Sequence, residues 1–240
     1  MERAHGWGNP VLRGDLRARS GSRKVWILQA VYLGILGALV FLGLPPELGR
    51  FAESHETSLY VAVLWVQVVL VTYSASACLV QEIAVEGEKG PVDLLFAPFS
   101  PTTIIAGKSL ASFVTIIFWI LLGLPLLVLT TAIRQIPTSA LIPVTALIAM
   151  VAWGIAQVGL LYSILFEAEF TRTLAHWTML TAVFVGTASL PPAFRSLNPI
   201  IATTQAARGA PLLGTLAIYA LLGVGCALLA QMRLRRMAAE

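Results

Sequence analysis

The sequence predicts an all-α, polytopic membrane protein. It has six transmembrane helices, an N-terminal amphipathic interfacial helix and a re-entrant helical segment before the last span. Three observations carry this reading. First, 58% of the 240 residues are hydrophobic and only 12% are charged. Soluble domains carry about 25% charged residues, and a soluble fold of this size cannot hide so much apolar surface. Second, the apolar residues fall in blocks of roughly twenty, the length that crosses ~30 Å of hydrocarbon. Third, the basic residues collect at alternate connections between those blocks.

The predicted spans are 25–44, 59–80, 103–132, 140–166, 173–190 and 211–232. The third and fourth exceed one crossing, which tilt or extension past the bilayer accommodates. The first 24 residues form a separate polar segment, and 25–240 a single transmembrane domain. A cleavable signal peptide is not expected, because that polar segment precedes a full-length span. Cys78 and Cys226 sit inside spans two and six and read as small apolar packers. Their isolation offers neither a disulfide framework nor metal spacing.

Charge sets the orientation. Arg3, Arg13, Arg17, Arg19, Arg23, Lys24, Lys89, Lys108, Arg172, Arg233, Arg235 and Arg236 fall on one side. Only Arg50, Arg134, Arg195 and Arg208 fall on the other. The positive-inside rule places both termini in the cytoplasm, as an even number of spans requires. The basic residues flank spans and line no aromatic groove, so they fit anchoring against anionic lipid and not nucleic-acid binding.

Within the first segment, Asn9-Pro10 reads as a helix start. Val11, Leu12 and Leu16 share one helical face, with Arg13, Arg17, Arg19 and Arg23 on others. The pattern fits a surface helix on the cytoplasmic side, or a plain basic anchor. In the first outer loop, His55-Glu56 has no second His at metalloprotease spacing, since Leu59 stands there.

The connection between spans two and three, 82–101, is the most informative stretch. Glu82 and Glu86 are spaced i, i+4, so span two is expected to continue as helix to Glu86. Gly87, Gly90 and Pro91 then break it. A short helix is expected over 92–96, ended by Pro98 and Pro101. Glu82, Glu86, Glu88 and Asp93 against Lys89 make this cytoplasmic loop acidic. A docking surface for a basic partner is one physical reason, and a solvated helix end is the other.

Ala106-Gly107-Lys108-Ser109 looks like the end of a phosphate-binding loop, but Thr102 replaces the first glycine and no strand precedes it. Lys108 is instead expected to snorkel at the interface. The fourth-to-fifth connection carries Glu167, Glu169 and Arg172. The stretch 191–209 is too polar to span and too apolar for a free loop, so it is expected to dip into the outer face. Polar residues inside the spans are Gln29, Gln67, Thr72, Ser74, Ser76, Gln157 and Ser163, with no ionised residue at any span centre. His176 is the one candidate for a proton relay, and a structural role is the expectation there. Gly154 and Gly159, like Gly34 and Gly37, permit close helix approach.

These residues resemble the permease subunits of ABC transporters of the type-2 exporter class. Asn9-Pro-Val-Leu-Arg13-Gly-Asp-Leu-Arg17 is similar to the opening that precedes the first span in many such permeases. Glu82 to Asp93, followed by Leu94-Leu95, Phe99-Ser100-Pro101 and Gly107-Lys108, is similar to the family pattern E-x-E-x-G-T-L-(E/D)-L-L … P-(L/F)-S-P … G-K. Pro91 departs from it, standing where the family has Thr. Six spans, cytoplasmic termini and a re-entrant segment complete the likeness.

The resemblance implies a non-catalytic subunit of the bacterial plasma membrane. It would form the translocation pathway with a second permease copy or a related permease. Separate cytoplasmic subunits would bind and hydrolyse ATP with magnesium, so no cofactor is expected here. Glu82, Glu86, Gly87, Glu88, Lys89, Gly90, Asp93, Arg13, Arg17 and Arg172 would form the interface with the ATP-binding subunit. A secondary carrier or channel is the alternative, but no inverted repeat is visible. An integral membrane enzyme would need a nucleophile–base pair or a metal cluster, and none falls at a common depth.

Overall fold

A computed structural model of the chain describes residues 10–21, 23–43, 58–88, 100–133 and 138–237. The regular elements there are all helical. They are α1 (Pro10–Gly21), α2 (Arg23–Gly43), α3 (Ser58–Glu88), α4 (Pro101–Ile133), α5 (Leu141–Leu165), α6 (Glu169–Phe184), α7 (Pro199–Ala207) and α8 (Leu213–Met237). Short 3₁₀ turns lie at Thr138–Ala140, Gly186–Ser189 and Pro192–Leu197. The outer loop before α3 and the expected helix over 92–96 fall outside the described residues.

Five segments are long and apolar enough to cross a membrane: Val25–Gly43, Leu59–Val80, Pro101–Ile133, Thr138–Leu165 and Leu213–Met237. They correspond to expected spans one to four and six. Beyond the second, α3 continues past Glu86, as the Glu82/Glu86 spacing predicted, and runs through Gly87 to Glu88, so Gly87 does not break it. Pro125 sits inside α4. It lacks an N–H, a loss that membrane helices tolerate.

The expected fifth span does not meet the same measure. Its helix α6 has 16 residues, and a 3₁₀ turn replaces it from Gly186 to Ser189. At 1.5 Å per residue α6 is about 24 Å long, short of a ~30 Å core. Thr173, His176, Thr178 and Thr181 also lower its apolarity. Two polar side chains of α6 are nonetheless buried. Arg172, His176 and Leu180 face inward, while Phe170, Leu174 and Trp177 are exposed. Thr171, Thr178 and Thr181 are exposed alongside them.

The helices are not equivalent. Over the 18-residue apolar stretches of α3 and α5, 61% and 67% of residues are buried within the chain, against 17% in α2 and 28% in α8. The α3–α5 pair therefore forms the centre, around Leu64, Val68, Leu79, Leu147, Val151 and Ile155. Two glycines let the backbones meet. A Cβ on Gly159 would lie 2.9 Å from the Ser76 carbonyl oxygen of α3. One on Gly154 would lie 2.6 Å from that of Tyr219 in α8. In membranes, where lipid is as apolar as leucine, such close packing is a main source of helix association. Gly34 and Gly37 of α2 instead face open space.

Candidate functional site at the basic end of the bundle

The parallel run of α3 and α5, matched at Ser76 and Gly159, puts the end of α3 level with the α5–α6 turn. The start of α4 joins the end of α8 at the same end: Gln231 Nε2 and Arg235 Nη2 donate to Thr102 Oγ1 at 2.8 and 3.2 Å. Most of the basic residues gather here, along with the acidic α3 terminus.

Helix α1 packs lengthwise on α4. Its inward stripe is Leu12, Asp15, Leu16 and Arg19, spaced i, i+3, i+4 and i+7. Leu12 is fully buried and anchors the stripe. Asp15 Oδ2 lies 3.6 Å from Lys108 Nζ, with the two side chains 15% and 1% exposed. One turn further on, Arg19 Nη1 donates to Thr115 Oγ1 at 3.0 Å. Lys108 thus does not snorkel into solvent as its position suggested. The carboxylate carried in by α1 gives the ammonium a counter-charge inside the protein. A buried charge stripped of a counter-charge costs several kcal/mol, so this contact favours docking of α1 while Lys108 is ionised. Arg19 corrects the expectation likewise, because it belongs to the packed face and not to the solvent face.

The phosphate-loop likeness has a local answer. Residues 106–109 lie inside α4, where the N–H groups are engaged along the helix and form no cradle. Trp153 Nε1 donates to Ser109 Oγ at 3.3 Å, which ties this turn to α5.

The expected interface residues divide into three groups. Glu82, Glu86, Gly87 and Glu88 lie on the last turns of α3, and their side chains are outside the described residues. Lys89, Gly90 and Asp93 fall wholly outside them. Arg13 and Arg17 are on the exposed face of α1, opposite the Asp15 stripe. Arg172 is different: it is 3% exposed, and its Nη1 donates to the carbonyls of Phe166 and Glu167 at 3.3 and 3.0 Å. It clamps the α5–α6 turn, and Glu167 and Glu169 are the exposed groups there.

One helical turn beyond Arg172, His176 is buried against Tyr73 and Trp177, with ring centroids 6.3 and 6.4 Å away. Neither of its nitrogens has a hydrogen-bond partner among the described residues. Among the described residues, no group of His, Cys, Asp and Glu gathers where a metal ion would sit.

Sequence reasoning missed Asp15, Thr102, Thr115, Gln231 and Arg235. Each acts across helices far apart in the chain, so spacing carries no trace of it. The inward stripe of α1 was readable in part, from Leu12 and Leu16. No protein-family model matches the chain. No curated protein matches it in sequence either.

Proposed function

We propose that this chain is the membrane-spanning permease subunit of an ABC exporter of the type-2 class. It pairs with a second permease and is driven by separate ATP-binding subunits. The observation that supports this most is the Asp15–Lys108 contact. The sequence motifs of the family likeness lie in two remote segments, the N-terminal motif and the stretch ending in Gly107-Lys108. In the fold these segments bear on each other through one buried ion pair. A chance likeness in either segment gives no reason for that meeting.

In this reading the basic end faces the bacterial cytoplasm, in keeping with the positive-inside rule. Helix α6 and the 3₁₀ turn after it serve as the fifth span, its apolar face toward lipid. Residues 191–209 form the re-entrant segment, and α3 beyond the membrane presents Glu82, Glu86 and Glu88 to the ATP-binding subunit. Arg13 and Arg17 flank that surface, and the turn held by Arg172 adds Glu167 and Glu169. ATP and magnesium belong to the partner, so this chain works without catalytic residues. The weakly engaged α2 is the face for the second permease, with Gly34 and Gly37 open to close approach.

The test is charge reversal. The double variant Glu86→Lys/Glu88→Lys, expressed with the ATP-binding subunit encoded beside it, is expected to lose co-purification or to hydrolyse ATP without transport. Assembly and coupling equal to the wild type would overturn the proposal. Transport that persists with no ATP-binding subunit present would favour a carrier or channel.

A further inference from the structure

Between the basic-end halves of α5 and α8 runs an open groove of about 290 Å³. Leu161 and Leu165 form one wall, and Leu229, Met232, Arg233 and Arg236 form the other. Each wall is a single helical stripe: i, i+4 on α5, and i, i+3, i+4, i+7 on α8. The α8 stripe changes character along its length. Its first turn is apolar and its second is basic.

The two arginines are not structural ties. Arg235, on another face of α8, is the one that reaches Thr102. Arg233 and Arg236 are exposed and make no hydrogen bond or ion pair among the described residues. Glu167 and Glu169 in the adjacent turn do not neutralise them. The apolar walls are equally unfilled, with Leu165 47%, Leu229 52% and Met232 51% exposed.

The groove therefore offers hydrocarbon contact at one end and, at the other, two guanidinium groups with no counter-charge among the described residues. The change falls where α8 leaves its apolar stretch. A soluble anion would use the arginines and leave the apolar walls unused. A neutral lipid would do the reverse. We infer that the groove holds one anionic glycerophospholipid. Its phosphate lies between Arg233 and Arg236, and an acyl chain lies along Leu161, Leu165, Leu229 and Met232. Guanidinium groups bind phosphate oxygens through paired, charge-assisted hydrogen bonds. This inference rests on the membrane reading of the chain and is independent of transport.

The test uses the purified, delipidated full-length protein and native mass spectrometry. The probes are phosphatidylglycerol, phosphatidylcholine of the same chains, and glycerol 3-phosphate. The wild type is expected to prefer phosphatidylglycerol. Arg233→Gln/Arg236→Gln is expected to lose that preference on the order of 10- to 30-fold, the effect of two basic residues near a membrane surface. Leu165→Trp, which fills the groove and keeps both arginines, is expected to weaken both lipids together. Leu229→Trp serves the same purpose from the other wall if the first variant does not fold. Undiminished phosphatidylglycerol binding by the arginine variant or by the folded groove-filling variant would overturn the site. Displacement of the lipid by glycerol 3-phosphate would reduce it to a soluble-anion site. A wild-type chain that does not insert into vesicles would instead defeat the membrane reading.

Discussion

The two ends of the bundle are held by different chemistry. At the basic end, charged side chains do the joining: Asp15 with Lys108, Arg19 with Thr115, Arg172 with two turn carbonyls, and Arg235 with Thr102. At the far end, apart from the exposed Arg195, whose Nε donates to the Leu190 carbonyl at 3.3 Å, the ties are neutral and mostly end on backbone. Asn198 caps α7 through Oδ1, which accepts from the N–H groups of Ile200 and Ile201 at 2.9 and 3.2 Å. Its Nδ2 donates to the Phe184 carbonyl at 2.8 Å. Tyr219 Oη and Thr215 Oγ1 donate to the carbonyls of Leu197 and Ser196 at 2.6 and 3.2 Å, and Trp65 Nε1 donates to Thr204 Oγ1 at 2.8 Å. Neutral donors that satisfy irregular backbone fix that segment at low desolvation cost. Charged contacts at the basic end cost more to bury, and they answer to any partner that offers a competing charge. The difference makes the basic end the more sensitive of the two to a change in charge.

The strongest way to break this comparison is to remove the Asp15 carboxylate. Asp15→Ala is expected to cost about 3–5 kcal/mol, because the buried Lys108 loses the carboxylate that balances its charge inside the protein. Thermal unfolding of the detergent-purified protein measures it, with proteolysis of α1 reporting undocking. Lys108→Met is expected to cost less, since the more exposed Asp15 retains some hydration. Equal costs would remove the case for a desolvated latch.

A middle-sized effect tests the connection between the ends. Gly159→Ala places a methyl group against the Ser76 carbonyl, where only backbone movement makes room. A loss of about 1–3 kcal/mol is expected. Because α3 and α5 run between the two ends, hydrogen exchange should rise at both. A rise confined to one would mean that they are independent. The smallest effect belongs to the far end: Asn198→Ala should cost about 1–2 kcal/mol. Faster cleavage near 186–198 with an unchanged basic end is the expected reading, and undocking of α1 in this variant would sink the division.

Much of the architecture was legible because a bilayer imposes a length and a polarity on whatever crosses it. Five of the six expected spans lie within a few residues of helices long and apolar enough to cross. The continuation of α3 was written in the Glu82/Glu86 spacing. The fifth expected span was not legible in the same way. Its apolar block runs past Phe184, but Gly186 and the paired prolines at 191 and 192 divert the backbone into 3₁₀ turns before a full crossing length is reached.

The candidate site was harder to read. Arg172 had the look of an exposed docking group, and Lys108 of a snorkelling one. Local sequence reports which residues are charged, not which of them meet a counter-charge or a free carbonyl after the chain folds.

Composition and periodicity by themselves determined that this chain is helical, rich in apolar spans and basic at one set of ends, because those properties are sums over neighbouring residues. Tertiary structure alone decided that Asp15 closes on Lys108, that Arg172 turns inward, and that Arg233 and Arg236, without a partner among the described residues, line an apolar groove. Those outcomes depend on contacts between distant segments, where the burial of one charge is set by the position of another.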